Sequence, residues 1–263
     1  MITPNDEDTL SELPEKDGSI LVVADSGAAT SVGLIRQANE DHFGATGQLF
    51  LVADGMGGTS GGALASRLTV EHLLQSDPHD GWVAVLSAVN DSVRNACTSA
   101  GHPSAGSTIV GLIVEDQRCV TLSVGDSRIY RFRDGELHQL TVDHNLGNLR
   151  REEGLDPSIG DERGKPRALT SYIGNPDGSQ RLDVGTVSAQ HGDRMLLTTD
   201  GVHEQLSSSQ LSDLLQIQTC RAAANAIVDA SNEAGGRDNS TAYVIELSTD
   251  ASNHGSPNGS VND

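Results

Sequence analysis

The chain has 263 residues, of which 36% are hydrophobic and 3% aromatic, and its formal net charge is −20. That length suffices for one sizeable core, built on Val, Leu, Ile and Ala rather than on aromatic rings. A field of this sign repels polyanionic nucleic acid, no basic stripe counters it, and few rings are offered for stacking bases.

Residues 1–18 carry Asp6, Glu7, Asp8, Glu12, Glu15 and Asp17 against Lys16 alone, and residues 249–263 are mostly Ser, Asn, Asp and Gly. Neither end offers enough apolar surface to offset its ordering entropy, so both read as disordered tails around one domain at about 19–248. The N-terminus lacks a basic segment followed by an apolar stretch, and no apolar run approaches the roughly 18–20 residues that cross a bilayer. Cys97, Cys119 and Cys220 are odd in number and far apart, which fits neither a disulfide framework nor a zinc knuckle. The expectation is a cytoplasmic monomer that binds neither membrane nor nucleic acid.

Within the domain, stretches rich in β-branched residues and bounded by Gly, Asp and Asn predict strands over 31–35, 48–53, 107–115, 119–124, 128–133, 181–188, 194–199 and 240–247. The run Ile109-Val110-Gly111-Leu112-Ile113-Val114 does not alternate, which predicts a strand buried on both faces. A helix is expected from Gly61 to about Gln75. Trp82, Val85, Leu86, Val89, Val93 and Ala96 follow helical spacing, as do Ala223, Ala224, Ile227 and Ala230. The order of elements lacks strict β-α-β alternation and predicts a mostly antiparallel sheet system with helices outside. Residues 144–180, rich in Gly and Pro, resist assignment; so long a segment in a compact domain is usually functional or mobile.

Asp-Gly occurs six times, and most copies read as turns. Asp134-Gly135 marks the tip of a hairpin. Two copies differ in context, because Asp54 follows Leu49-Phe50-Leu51-Val52-Ala53 and Asp200 follows Met195-Leu196-Leu197-Thr198-Thr199. A carboxylate ending a buried strand needs a partner, and a hard divalent cation, a cap or a turn would each serve. Two further acidic segments flank strands, one around Glu40 and Asp41 and one around Asp238. Each could be a plain surface turn, but four such clusters in one domain favour a shared metal site. His42 and His144 read as structural rather than catalytic. The glycines around Gly57, Gly58, Gly61 and Gly62 match no phosphate-cradling fingerprint and read as flexible chain before a helix.

These segments, in this order, resemble the metal-dependent protein phosphatases of the PPM (type 2C) family in its bacterial form. The matching text is Gly33-Leu34-Ile35-Arg36 with Asn39-Glu40-Asp41, Val52-Ala53-Asp54-Gly55-Met56-Gly57-Gly58, Gly106-Ser107-Thr108, Val124-Gly125-Asp126-Ser127-Arg128-Ile129-Tyr130, Asp143-His144, Gly192-Asp193 through Asp200-Gly201-Val202, and Gly236-Arg237-Asp238-Asn239-Ser240-Thr241. The resemblance implies an α+β fold, a four-layer α-β-β-α sandwich of two mainly antiparallel sheets flanked by helices. It implies hydrolysis of phosphoserine and phosphothreonine in proteins, opposing a bacterial Ser/Thr kinase.

It also implies two Mn²⁺ or Mg²⁺ ions bridged by Asp54. Asp200 and Asp238 would complete one shell, and Glu40 or Asp41 with the Gly55 carbonyl the other. Asp126, with Asp200, would hold a third, weaker ion, and Arg36 would grip the substrate phosphate. Residues 144–180 fall where the family has its flap. Met56 stands where many eukaryotic relatives have His, which leaves the leaving-group acid unassigned. The rival readings are a phosphatase-like binding module with little turnover and a hydrolase of small phosphate esters.

Overall fold

In this computed structural model the chain is described over residues 19–58, 60–77, 81–160, 165–176 and 181–251. One sheet runs in the order β1 (Ser19–Ser31), β12 (Ser240–Ala251), β11 (Arg194–Thr198), β8 (Arg128–Arg133) and β9 (Glu136–Gln139). The other runs β10 (Asp183–Ser188), β7 (Arg118–Val124), β6 (Ile109–Val114), β3 (Leu49–Ala53) and β2 (His42–Thr46). All pairings are antiparallel. A short ribbon joins β4 (Gly55–Met56) to β5 (Gly106–Ser107). The helices are α1 (Gly61–Leu74), α2 (Trp82–Ser99), α3 (Leu146–Glu152), α4 (Asp200–His203), α5 (Ser208–Leu214) and α6 (Cys220–Glu233).

Three apolar seams make four layers of these elements. Strand alternation sends Leu51, Ile109 and Leu122 outward against Ala65 and Leu73 of α1 and Leu86 and Val93 of α2. The intervening residues Phe50, Val52, Val110 and Leu112 point inward, where they meet Ile129, Met195, Leu197, Tyr243 and Ile245 of the facing sheet. Leu196 and Val244, on the far side of that sheet, pack on Val202, Leu211, Ala223 and Ile227. Burial on both faces is why the run at 109–114 does not alternate. With few rings available, Tyr243 packs edge-on to both Phe43 and Phe50, at centroid distances of 5.9 and 5.4 Å.

Several expected boundaries move. Residues 31–35 are not a strand: β1 ends at Ser31, and Gly33 turns the chain at φ +77°. The strand lies before it instead: Ile20-Leu21-Val22-Val23 favour extension, and pairing with β12 carries the strand on through the Ala- and Gly-containing residues to Ser31. The expected strand at 107–115 is interrupted at Thr108, and that at 181–188 begins at Asp183. Residues 249–251, assigned to the polar tail, extend β12 and pair with Ser19, Ile20 and Leu21. The remaining tail assignments, 1–18 and 252–263, lie outside the described residues. The hairpin at Asp134-Gly135 forms as expected, with both residues at positive φ. Among the described residues no helix is long and apolar enough to cross a membrane.

Candidate active site

The four acidic segments meet at one end of the sandwich, around a cavity of about 270 Å³. Its walls carry Glu40, Asp54, Asp126, Asp200 and Asp238, with Arg36 and Arg167 as the cations, and Gly55, Met56, Thr108 and Leu169 between them.

Asp54 follows β3 directly. Its N–H donates to Thr108 Oγ1 (2.9 Å), and its carbonyl accepts from Thr108 N (2.8 Å) and Ser107 Oγ (3.0 Å). Thr108 Oγ1 is in turn 2.7 Å from Ser127 Oγ, so the break between β5 and β6 is what clamps Asp54. The loop at 32–40 is tied on by Asn239, whose Oδ1 accepts from Glu40 N (2.8 Å) and whose Nδ2 donates to the carbonyls of Val32 (2.9 Å) and Ala38 (3.0 Å). The Glu40 carbonyl accepts from Gly55 N at 3.2 Å. Gly55 and Gly62 pass so closely that a Cβ on Gly55 would sit 2.2 Å from the Gly62 carbonyl oxygen. The Gly-rich segment therefore brings the start of α1 against the acidic loop.

Asp200 opens α4, and its Oδ1 is buried without a hydrogen-bond partner, as is Oε1 of Glu40. Asp238 accepts from Arg36 Nη2 at 2.7 Å and from Asn239 N at 2.8 Å. Arg36 Nη1 lies 4.0 Å from Glu40. Arg36 thus reaches the cavity but leans on Asp238, a partnership the sequence reading did not include. Asp126 follows the Gly125 turn, whose N–H donates to Nδ1 of the buried His144 (3.1 Å); His144 Nε2 is 3.0 Å from Asp183.

Asp41 does not line the cavity. Its Oδ2 accepts from Thr241 Oγ1 (2.7 Å) and Thr199 Oγ1 (2.9 Å) behind the wall, while its Oδ1 is buried and unpartnered. Of the pair Glu40 and Asp41, Glu40 faces the cavity and Asp41 braces the strands beneath Asp54 and Asp200.

Crowded, desolvated carboxylates hold their protons. Burial first, then Asp41, Asp200, Asp126 and Asp238, pushes Asp54 well above the usual carboxylate range. Burial and then Asp200 raise Asp126 to about 7. Asp41 is likewise raised to about 7, chiefly by burial, against the pull of the two threonine hydroxyls. Asp200 is raised by burial and by Asp238, and Glu40 by burial.

Among the described residues no three of the acidic, His or Cys side chains are already gathered into a closed metal shell. The donor set nevertheless fits hard divalent cations. All the candidates are oxygen donors, two carry orphaned buried oxygens, and their charge is far from balanced by two guanidiniums. Glu40, Asp54, Asp126, Asp200, Asp238 and the Gly55 carbonyl are the groups that could hold such ions.

The sequence reading missed Arg167, which lines the cavity and pairs with Glu204. It also missed the threonines at 108, 199 and 241 as supports of the acidic residues. Nothing in their spacing marks them. Arg167 lies in the Gly- and Pro-rich stretch, and threonines in or beside a strand look like ordinary strand residues.

The family model described as Protein phosphatase 2C matches residues 35–233. Protein phosphatase PhpP of Streptococcus pneumoniae is 29% identical over 235 residues, covering 83% of this chain and 95% of that protein. Serine/threonine protein phosphatase PstP of Mycobacterium tuberculosis is 30% identical over 233 residues, covering 84% of this chain and 44% of that protein. A solved structure of the PstP catalytic domain, in complex with two manganese ions, superposes with a TM-score of 0.73 at 28% identity, covering 88% of this chain and 99% of that one.

Proposed function

The chain belongs to the protein phosphatase 2C family and is a metal-dependent serine/threonine protein phosphatase, and we propose that its acidic cavity is where phosphoserine and phosphothreonine are hydrolysed. The carrying observation is the convergence of Glu40, Asp54, Asp126, Asp200 and Asp238 on one cavity that also admits Arg36.

In this reading Asp54, Asp200, Asp238, Glu40 and the Gly55 carbonyl would hold two Mn²⁺ or Mg²⁺ ions. Asp126 with Asp200 offers a weaker third site. When bound, such ions would supply positive charge and would lower the pKa of a water, in a reaction whose uncatalysed rate is extremely low. The chain's own residues do the rest. Thr108 and Asn239 fix Asp54 and Glu40 from behind, so the oxygen donors are held in place before the substrate arrives. Arg36, held over the cavity by Asp238, presents its remaining N–H groups to phosphate oxygens. Asp41 ties Thr199 and Thr241 together behind the cavity wall without touching substrate. No protein nucleophile is required; Cys97, Cys119 and Cys220 are all buried. The proposed setting is the cytoplasm, with a bacterial Ser/Thr kinase as the opposing enzyme and a monomer as the working unit.

The test is hydrolysis of a phosphothreonine peptide with and without millimolar Mn²⁺, for the natural chain and Asp200→Asn. Metal-dependent turnover that falls at least 100-fold in the variant supports the proposal. Turnover in the presence of chelator, or retained by Asp200→Asn, rules it out.

A further inference from the structure

Exposed apolar side chains cluster in the turn that leads into Arg36, a residue of the cavity wall. Leu34 and Ile35 are 69% and 68% exposed, and Val32, two residues earlier, is also exposed. Isolated exposed hydrophobic residues are ordinary, but three within four residues form a patch that keeps apolar area in water.

This patch is also rigid. Gly33 takes φ +77° and packs so closely on the 236–238 segment that a Cβ there would lie 2.3 Å from the Asp238 carbonyl oxygen. Leu34 N donates to the Gly236 carbonyl at 2.7 Å, Gly33 N to Ser31 Oγ at 3.1 Å, and Asn239 Nδ2 holds the Val32 carbonyl. A turn so fixed cannot fold its side chains away, and it presents them outward beside Arg36, the next residue in the chain.

We propose that the turn at 32–35 is a docking lip for the substrate chain, recognising an apolar residue next to the phosphorylated serine or threonine. The inference rests on Arg36 receiving the phosphate. With the phosphate in the cavity, the residues on either side of the phosphoamino acid must leave it past Arg36, and the exposed chain leading into Arg36 carries Leu34 and Ile35. Across the cavity Leu169 and Met56 add apolar wall, so a bulky aliphatic neighbour is met from two sides. The lip thereby selects among phosphoproteins by local sequence, while hydrolysis itself depends on the cavity.

The experiment compares the full natural chain with Ile35→Ser and with Leu34→Ser/Ile35→Ser. The substrates, all with Mn²⁺, are a phosphothreonine peptide flanked by Leu, the same peptide flanked by Ser, and p-nitrophenyl phosphate, which has no chain on either side. The natural chain is expected to favour the Leu-flanked peptide by about tenfold in kcat/KM. The double variant should lose that preference mainly through KM, Ile35→Ser should lose part of it, and all three proteins should hydrolyse p-nitrophenyl phosphate within about twofold of one another. The proposal is overturned if the natural chain shows no preference, if the preference survives the double replacement, or if all substrates slow equally in both variants. It is also overturned if sedimentation shows a dimer that only the variants lose, which would assign the lip to self-association. A natural chain inactive on every substrate refutes the phosphatase site instead.

Discussion

Replacing Asp126 by Asn should stabilise the metal-free protein at pH 8. Asp126 is raised from 3.8 to about 7 by burial and by the Asp200 charge. A carboxyl whose folded pKa exceeds its unfolded value binds its proton more tightly in the native state. Its favourable contribution is complete below the unfolded value and is lost as pH rises towards the folded one, the window here being about pH 4 to 7. A shift of this size corresponds to about 4 kcal/mol at most. Asp126 borders an open cavity, so solvent screening should reduce this to about 2 kcal/mol, or about 4–8 °C in Tm for a domain of this size. Asn cannot ionise and escapes the cost. Urea unfolding in chelator should therefore show Asp126→Asn to be more stable by about 2 kcal/mol at pH 8, with the advantage gone by pH 4. Millimolar Mn²⁺ should shrink the gain at pH 8, because cations offset the same charge. A variant equally or less stable at pH 8 without metal, or one whose advantage persists at pH 4, refutes the reasoning.

Arg133 donates twice, at 2.6 Å each, to Asp193, which is fully buried and otherwise accepts only from Gln190 N (2.9 Å) among its side-chain contacts. Arg133→Ala strands that charge and should cost about 3–5 kcal/mol in urea unfolding, while kcat/KM of the still-folded protein on p-nitrophenyl phosphate stays near the natural value; a loss under 1 kcal/mol would contradict it. Gly201→Ala would put a Cβ 1.9 Å from the Asn239 carbonyl oxygen. The resulting shift of α4 should lower stability by about 1–3 kcal/mol and weaken Mn²⁺ binding in calorimetry at least tenfold, since Asp200 and Asp238 adjoin the clash; unchanged Mn²⁺ affinity would contradict it.

Much of the strand set was legible because burial on both faces writes itself into composition. The runs at 49–53, 109–114 and 195–197 are almost continuously apolar, and their strands lie between layers. β1 was not legible. Ile20-Leu21-Val22-Val23 favour a strand, but the Asp, Ser, Gly and Ala residues that follow do not, and pairing with β12 carries the strand on through them. β2 was missed because five residues that include His, Gly and Thr carry no clear period. α3, α4 and α5 are each seven residues or fewer, too short for a helical repeat to register.

For the site, the sequence alone singled out Asp54 and Asp200 as carboxylates that need a partner. An ionisable residue at the end of a hydrophobic strand is costly unless something holds it, and that cost is visible in one dimension at Asp54 and Asp200. Tertiary structure decided everything that depends on direction. Glu40 and Asp41 are neighbours with the same charge, yet one side chain faces the cavity and the other is taken by Thr199 and Thr241. Arg36 and Asp238 are 202 residues apart and become partners only when the loop at 32–40 is laid against the start of β12 by Asn239. Residue chemistry is local and can be read along the chain, but the aim of a side chain is set by what packs behind it, and that neighbour comes from elsewhere in the sequence.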